Sequence, residues 1–208
     1  MSSDAPYPVQ YSVDYPDRPL NRMTTFFRGF MVLPIAIVLA LVEGTVYART
    51  GGKGTEVAAA GLVVLPTLLL IVFRQKYPRW WFDWNLELQR LSNRIGAYLA
   101  LMDDRYPSTD EQQSVTLDFP YPDAKEDLNR WLPLVKWLLA IPHYVVLLFI
   151  YIAALLVVIA AWFAILLTGR FPRGMFDFLV GVGRWTTRVV AYAHVLVTDR
   201  YPPFRLAP

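Results

Sequence analysis

The sequence contains no cysteine and only two histidines in 208 residues. Without cysteine, disulfide bridges, thiolate metal sites, iron–sulfur clusters, thiol catalysis and palmitoylation are all excluded. His143 and His194 alone cannot complete a zinc site, because structural zinc takes four protein ligands and catalytic zinc three. We therefore predict no metal and no cofactor, and we expect His143 to make a satisfied hydrogen bond rather than to act as an acid or base.

Catalytic and nucleotide-binding motifs are also missing. No Gly-rich phosphate loop, nucleophile elbow or paired-carboxylate motif occurs, and the GGKG at 51–54 is too short for a phosphate-binding loop. The 20 basic and 17 acidic residues give a net charge of only +3, which does not indicate nucleic-acid binding. Residues 1–19 are polar and proline-rich, unlike a cleaved signal peptide. We predict a protein that is not an enzyme and binds no nucleic acid.

Long apolar runs are what the sequence does contain. Hydrophobic residues make up 55% of the chain, above the roughly 45–50% of an ordinary soluble domain. They concentrate in runs such as FMVLPIAIVLALVEG, AAAGLVVLPTLLLIVF and IPHYVVLLFIYIAALLVVIAAWFAILLTG. The stretch between Lys136 and Arg170 contains no charged residue. Because about 18 apolar residues suffice to cross a bilayer, these runs predict transmembrane helices.

The order of motifs predicts an internal tandem duplication. The tetrapeptide Asp-Arg-Tyr-Pro occurs at 104–107 and again at 199–202. Other matches follow in the same order in both halves: YPDRPLNR with YPDAKEDLNR, Arg28 with Lys136, Pro34 with Pro142, YPRWWFDW with FPRGMFDF, and Tyr98 with Tyr192. The predicted copies cover 7–107 and 113–204, and the second lacks a counterpart of the Gly-rich loop at 47–57.

Each copy has a short strand, a hydrophobic hairpin, an amphipathic helix and the Asp-Arg-Tyr-Pro tail. Alternating apolar residues predict the strands at 9–15 and 115–121. In the helices, apolar residues recur every three or four positions, at Trp81, Trp84, Leu88, Leu91, Ile95, Tyr98 and Met102, and at Met175, Phe178, Val182, Trp185, Val189, Tyr192 and Leu196. A helix of this kind lies in the lipid headgroup layer or caps a helical bundle.

These patterns predict a mainly all-α integral membrane protein, with four transmembrane helices as two hairpins, two interfacial amphipathic helices and short β-strands on the cytoplasmic side. Basic residues flank the apolar runs, which places both termini and the central segment in the cytoplasm. The second hairpin requires a tight turn near Phe149–Ile152. The alternative is an interfacial helix to Ile141, a kink at Pro142 and one long tilted span, which would put the C-terminal arginines outside.

Eight charged residues form the candidate site. They lie on the polar faces of the two amphipathic helices and in the Asp-Arg-Tyr-Pro stretches: Asp83, Arg90, Arg94, Arg105, Asp177, Arg184, Arg188 and Arg200. The arginines can bind lipid phosphate, since a planar guanidinium suits it, or they can form structural ion pairs with the Asp-Arg-Tyr-Pro loops. In either case we expect Arg90, Arg94, Arg184 and Arg188 to lie on the solvated side.

The second half also resembles a known family. LNRWLPLVKWLLAIPH and AAWFAILLTGRFPRGMFDFLVGVGRWTTRVVAYAHVLVTDRYPPF are similar to a bacterial membrane-protein family known as domain of unknown function 4389. The resemblance is specific in 115–204 and weaker in 9–107. It implies a membrane protein of the bacterial inner membrane, and it gives no catalytic residues.

The sequence therefore favours a non-enzymatic membrane protein, which is an accessory or scaffold subunit of a larger complex or organises lipid. The expected partners are the bilayer, with anionic lipid as a candidate, and other membrane proteins. A small carrier or channel is the first alternative, because duplication is common in transporters. A lipid-acting enzyme is the second alternative, although no nucleophile or metal set supports it.

Overall fold

The computed structural model of the protein describes residues 7–43, 64–109 and 111–208. This part of the chain is mostly helical. In chain order its elements are β1 (Gln10–Val13), α1 (Arg22–Met31), α2 (Leu33–Glu43), α3 (Val64–Leu69), α4 (Arg79–Leu99), β2 (Val115–Asp118), α5 (Pro133–Leu139), α6 (Ile141–Thr168) and α7 (Arg173–Ala193). A π-helical turn, Leu70–Arg74, continues α3.

The two predicted strands exist and pair with each other. β1 and β2 are antiparallel, with Tyr11 opposite Leu117 and Val13 opposite Val115. These four side chains are buried, whereas the alternating residues between them are exposed. The strands are shorter than predicted. Pro16 and Pro120 follow soon after them, and proline cannot donate a hydrogen bond to a strand ladder.

The two predicted amphipathic helices are present as α4 and α7. Each begins directly after a proline, Pro78 or Pro172, and runs for 21 residues. Each is followed by a leucine of positive φ, at Leu101 and Leu196. Both helices are buried on more than one face, since strands and apolar helices pack on different sides of them.

The predicted hairpin within 132–167 is wrong. After the short α5, the chain continues from Ile141 to Thr168 as one helix of 28 residues, with no turn near Phe149–Ile152. No glycine interrupts this stretch. A continuous helix also satisfies the hydrogen bonds of its own backbone, which an apolar environment without water requires. The helix ends at Gly169, whose φ of 73° suits a left-handed C-cap. The geometry is that of the alternative with a break before Pro142.

The first hydrophobic segment is described only in part. A break at Val32 separates α1 from α2, two residues before Pro34, and the region Arg22–Val42 is long and apolar enough to cross a membrane. The return segment Val64–Arg74 is shorter. The predicted Gly-rich loop at 47–57 lies outside the described residues. The described residues therefore contain two helices of spanning length, where the sequence predicted four.

The elements form three layers. The strands make the first layer, with β1 against α7 and β2 against α4. The helices α4 and α7 make the middle layer. The third layer contains α6, which packs on α7 and α1, and α2, which packs on α4. In α7, Gly183 faces Tyr11 of β1, whereas Trp185 and Thr186 contact α6.

Candidate functional site

A buried cation in α1 contacts the first Asp-Arg-Tyr-Pro stretch. Arg28 is 2% exposed, and its Nη2 lies 2.6 Å from Oδ1 of Asp104. Its Nη1 donates to the backbone oxygens of Tyr98 and Asp103, at 3.0 and 2.9 Å, and the guanidinium lies over the Tyr98 ring. Asp104 also accepts a hydrogen bond from the backbone of Asn21. This network joins the start of α1 to the end of α4.

The second Asp-Arg-Tyr-Pro stretch makes the corresponding contacts. Nζ of the fully buried Lys136 lies 2.7 Å from Oδ1 of Asp199 and donates to the Thr198 backbone oxygen at 2.8 Å. Asp199 accepts from the backbone of Asn129, and Lys136 lies over the ring of Tyr192. Burial lowers the pKa of Lys136, and Asp199 opposes this shift. Sequence analysis aligned Arg28 with Lys136 but did not identify this role.

A tyrosine at the end of each strand contacts the helix start of the other half. Tyr15 donates to the Phe171 oxygen at 2.6 Å, and its ring lies 5.0 Å from Phe176 and under Arg173.

Tyr121 makes the equivalent contacts in the other direction, with Tyr77, Phe82 and Arg79. The Tyr121 hydroxyl donates to the Tyr77 oxygen, and the ring meets Phe82 edge-on and Arg79 face-on. Each half therefore supplies a side chain to the other.

The predicted residues of α4 make internal contacts. Asp83 pairs with Arg79 on the exposed face of the helix. Arg90 pairs with Glu87, lies 3.6 Å from Asp118 and donates to the Leu117 backbone oxygen. These contacts tie α4 to β2.

Arg94 donates to the Ser108 oxygen at 2.6 Å, so it holds the segment that follows the first Asp-Arg-Tyr-Pro stretch. It makes no ion pair within the described residues.

The predicted arginines of α7 contact the C-terminal segment instead. Arg184 donates to the Leu206 oxygen at 2.9 Å, and Arg188 donates to the Arg205 oxygen at 3.4 Å. Arg188 is only 2% exposed, so the expectation that it lies on the solvated side is wrong. Burial lowers its pKa, and the nearby Arg205 and Arg184 lower it further. Asp177 is exposed and forms no ion pair within the described residues.

The arginines of the Asp-Arg-Tyr-Pro stretches have different environments. Arg105 pairs with Asp103 at 3.1 Å, and Ser114 donates to the same carboxylate at 2.7 Å. Burial would raise the pKa of Asp103, but the hydrogen bonds from Ser114 and Arg105 lower it below its usual value. The Arg200 guanidinium lies near the Tyr7 ring, and the Tyr7 hydroxyl donates to the Arg200 backbone oxygen.

The structure places His143 in an aromatic cluster. It is fully buried, its Nδ1 accepts a hydrogen bond from the Trp185 indole at 3.1 Å, and it stacks on Phe204. The expected hydrogen bond is present at Nδ1, whereas the buried Nε2 has no hydrogen-bond partner within the described residues. Within the described residues, no group of three potential metal ligands comes together.

Sequence analysis missed a cavity of about 600 Å³ between α4, α6 and α7. Among the described residues, no charged side chain lines it. Its polar groups include Tyr11, Asn93 and Thr187, and Thr187 donates to Asn93 at 3.2 Å. Tyr11 is 7% exposed, and its hydroxyl makes no hydrogen bond in the described part of the chain. The cavity forms from residues distant in sequence, so no local motif marks it.

A family model described as "Domain of unknown function (DUF4389)" matches residues 131–205, which contain α5, α6, α7 and the second Asp-Arg-Tyr-Pro stretch. This single match lies in the second half of the chain. No curated protein and no solved structure matches the chain. The match supports the resemblance seen in the sequence, and the segment 131–205 is similar to this family of unknown function.

Proposed function

We propose that the chain is a non-enzymatic membrane protein that serves as an accessory or scaffold subunit or organises lipid. The observation that carries the proposal is the apolar surface of α6. Only 11% of its most apolar 18-residue stretch is buried. Phe149, Leu156 and Leu167 are 65%, 63% and 77% exposed. Soluble monomers rarely expose contiguous apolar patches beyond roughly a few hundred Å², and larger ones mark membrane or protein contacts. A bacterial inner-membrane location is part of the proposal, and the two segments long and apolar enough to cross a membrane support the membrane placement.

Purification tests this proposal. The protein should stay in the membrane pellet after alkaline washing and need mild detergent for release. Co-purified proteins would identify a scaffold subunit, and retained lipid alone would identify a lipid-organising protein. A modified lipid product would favour the enzyme alternative. Recovery as a detergent-free soluble monomer would contradict the membrane assignment.

We also propose that the chain arose by tandem duplication, with copies at 7–107 and 113–204. The paired contacts of Arg28 and Lys136 support it. Two contacts between aligned positions support it further, because a two-fold axis brings equivalent residues together. Tyr11 pairs with Leu117 in the sheet, and Thr187 bonds to Asn93.

The proposed orientation keeps both termini and the central segment in the cytoplasm. Lys136 precedes α6 and Asp199 follows α7, and the two contact each other. Because α7 returns the chain to the place where α6 began, one continuous α6 is compatible with this orientation.

For the arginines of α7, the contacts favour a structural role over headgroup binding. Replacing Arg184 and Arg188 by glutamine should lower the thermal stability and leave the co-purified anionic lipid unchanged, because both side chains hold the C-terminal segment. Loss of anionic lipid at unchanged stability would support headgroup binding instead.

The cavity supports a carrier as the second candidate function. Its volume of about 600 Å³ lies within the usual range of small-molecule pockets, roughly 300–1,000 Å³. Because its lining is uncharged and includes the Tyr11 hydroxyl, the fitting ligand is a neutral apolar molecule with a hydrogen-bonding group.

Gly96 offers a direct test of this candidate. It lines the cavity, and a Cβ added there meets no atom within 4 Å. Gly96→Leu should therefore fold and abolish retention of a neutral lipid such as diacylglycerol. Gly174→Leu is the matched control, since it also has open space but lies outside the cavity. Equal retention by both variants would remove the carrier candidate.

A further inference from the structure

Residues 7–20 connect the two ends of α6. At the start of α6, Tyr201 donates to the Leu139 oxygen, and the preceding Lys136 contacts Asp199. The backbone oxygen of Arg200, the residue after Asp199, accepts a hydrogen bond from the Tyr7 hydroxyl. At the end of α6, the Leu20 backbone donates to the Gly169 oxygen at 2.8 Å. Residues 7–20 therefore reach from one end of α6 to the other.

The segment 7–15, which contains β1, runs along α7. Arg188 near the end of α7 lies over Tyr7, Gly183 in the middle touches Tyr11, and Phe176 near its start contacts Tyr15. Residues 7–15, which contain β1, thus run alongside α7, and α7 packs on α6.

If α6 crossed the bilayer, the sheet would also have to lie within the bilayer. At ~1.5 Å per residue α6 is about 42 Å long, against a hydrocarbon thickness of about 30 Å. A helix crossing upright would hold β1 and β2 at membrane depth. This sheet has two strands and open edges, and its residues Gln10, Ser12 and Asp118 are exposed. Open sheet edges do not occur in hydrocarbon, because their backbone groups would lack hydrogen bonds.

The charged and apolar surfaces also separate by layer. The outer face of α6 presents apolar side chains along its whole length, from Val145 at 51% exposure to Leu167 at 77%. In α1, Phe26 stacks on Trp162 of α6 and is itself 56% exposed, so α1 extends the same face. The exposed polar residues of the strands lie in the first layer, beyond α4 and α7.

We propose that α6 lies along one leaflet of the membrane instead of crossing it, with α1 in the same layer and the sheet in the cytoplasm. This inference rests on the proposed membrane function and specifies the lipid surface as the partner of the α6 face. Amphipathic in-plane helices insert their apolar face about 5–10 Å below the headgroup boundary. α6 itself carries no charged residue, so its polar side is supplied by α7, which packs on its inner face, and by the sheet beyond α7. The length of α6 then needs no match to the bilayer thickness.

The absence of cysteine makes a depth measurement direct. Single cysteines are introduced into the full chain on the exposed face of α6, spin-labelled, and reconstituted into phosphatidylcholine–phosphatidylglycerol vesicles. The positions are Val145, Phe149, Ile152, Leu156, Phe163 and Leu167, all at least 51% exposed. Collisions with oxygen and with a water-soluble nickel chelate give the depth of each label. Ser12→Cys is the control in the sheet.

The expected result is a shallow, nearly constant depth at all six positions, with Ser12→Cys in water. A profile that is deepest at Ile152 and Leu156 and shallow at both ends would overturn the in-plane placement while keeping the membrane function. Water exposure at all six positions would overturn both. Protection from both oxygen and nickel would show that a second protein surface covers α6, which also overturns the lipid contact.

Sidedness provides an independent check on two single-cysteine variants. Ser12→Cys and Arg170→Cys both replace exposed residues, one in β1 and one after α6. An impermeant maleimide should label both from the same side of oriented vesicles. Labelling from opposite sides would overturn the proposal.

Discussion

Asp104 and Asp199 each bind a cation from the beginning of their own half of the chain. Arg28 and Lys136 are 2% and 0% exposed, so both cations depend on protein groups for the contacts that water would otherwise make. Removing one partner of a buried ion pair is more damaging than removing an exposed pair, because the remaining charge stays unpaired in a poorly solvated site. The aspartates therefore explain why Asp-Arg-Tyr-Pro recurs.

Asp199→Asn should destabilise the protein by about 3 kcal/mol, since it leaves Lys136 buried without its carboxylate. Thermal unfolding in detergent micelles measures this change. Asp83→Asn is the matched control. Its pair with Arg79 is exposed, and such pairs contribute about 0–1 kcal/mol. Similar shifts for the two variants would contradict a structural role of the buried pair.

Asp103 should make stability dependent on pH in the acid range. Its pKa is below the ordinary value of 3.8, because the hydrogen bonds from Ser114 and Arg105 outweigh burial. The carboxylate therefore stabilises the fold fully at pH values above its ordinary pKa. This contribution is lost as the pH falls through the lowered pKa.

Asp103→Asn should cost about 1–2 kcal/mol near neutral pH, because bonds to a charged group are lost. Denaturant unfolding of both proteins at neutral and at acid pH is the measurement. The difference should shrink below about pH 4. A difference that stays constant down to acid pH would argue against this assignment.

Among the elements, α7 depends on a close approach to β1. A Cβ at Gly183 would lie 2.7 Å from the Tyr11 hydroxyl, and Tyr11 is buried in the sheet. Gly183→Ala should therefore destabilise the protein by about 1–3 kcal/mol through overpacking, despite the better helix propensity of alanine.

Gly96→Ala gives the opposite expectation. Gly96 lies within α4 with no atom within 4 Å of an added Cβ. Alanine should raise the stability by about 0.5–1 kcal/mol. Thermal unfolding of the two variants under identical conditions compares them. If both substitutions changed the stability in the same direction, the contact between Gly183 and Tyr11 would not determine the packing of α7.

The sequence predicted the individual helices and strands better than the way they connect and pack. Apolar residues at steps of three and four located α4 and α7, and alternation located β1 and β2, because both patterns reflect local backbone geometry. The hairpin within α6 failed for a different reason. Flanking charges report which side of a membrane a segment prefers, but the stretch after Pro142 contains no residue that stops a helix.

The burial of Arg188 shows a similar limit for the candidate site. Helical periodicity correctly places Arg188 away from the apolar face of α7. It does not reveal that residues 205 and 206 return to cover that side. The cavity was invisible for the same reason, since its lining comes from β1, α4, α6 and α7.

For the molecule as a whole, the exchange of Tyr15 and Tyr121 between halves makes the two halves interdependent. Each hydroxyl donates to a backbone oxygen of the other half. Tyr15→Phe and Tyr121→Phe should each cost about 1 kcal/mol, as expected for one lost hydrogen bond. Equal shifts in thermal unfolding, with additive loss in the double variant, would fit equivalent halves. A large effect of only one substitution would contradict the proposed two-fold relation.

The same exchange constrains the order of events during synthesis. β1 leaves the ribosome first, yet Tyr15 bonds to Phe171, 156 residues later, and Tyr7 bonds to Arg200, 193 residues later. A chain released before Phe171 lacks the partner of Tyr15, and one released before Arg200 lacks the partner of Tyr7. The tyrosines beside the first strand must therefore wait until residues 171 to 200 have been translated, so the second half completes the contacts of the first strand.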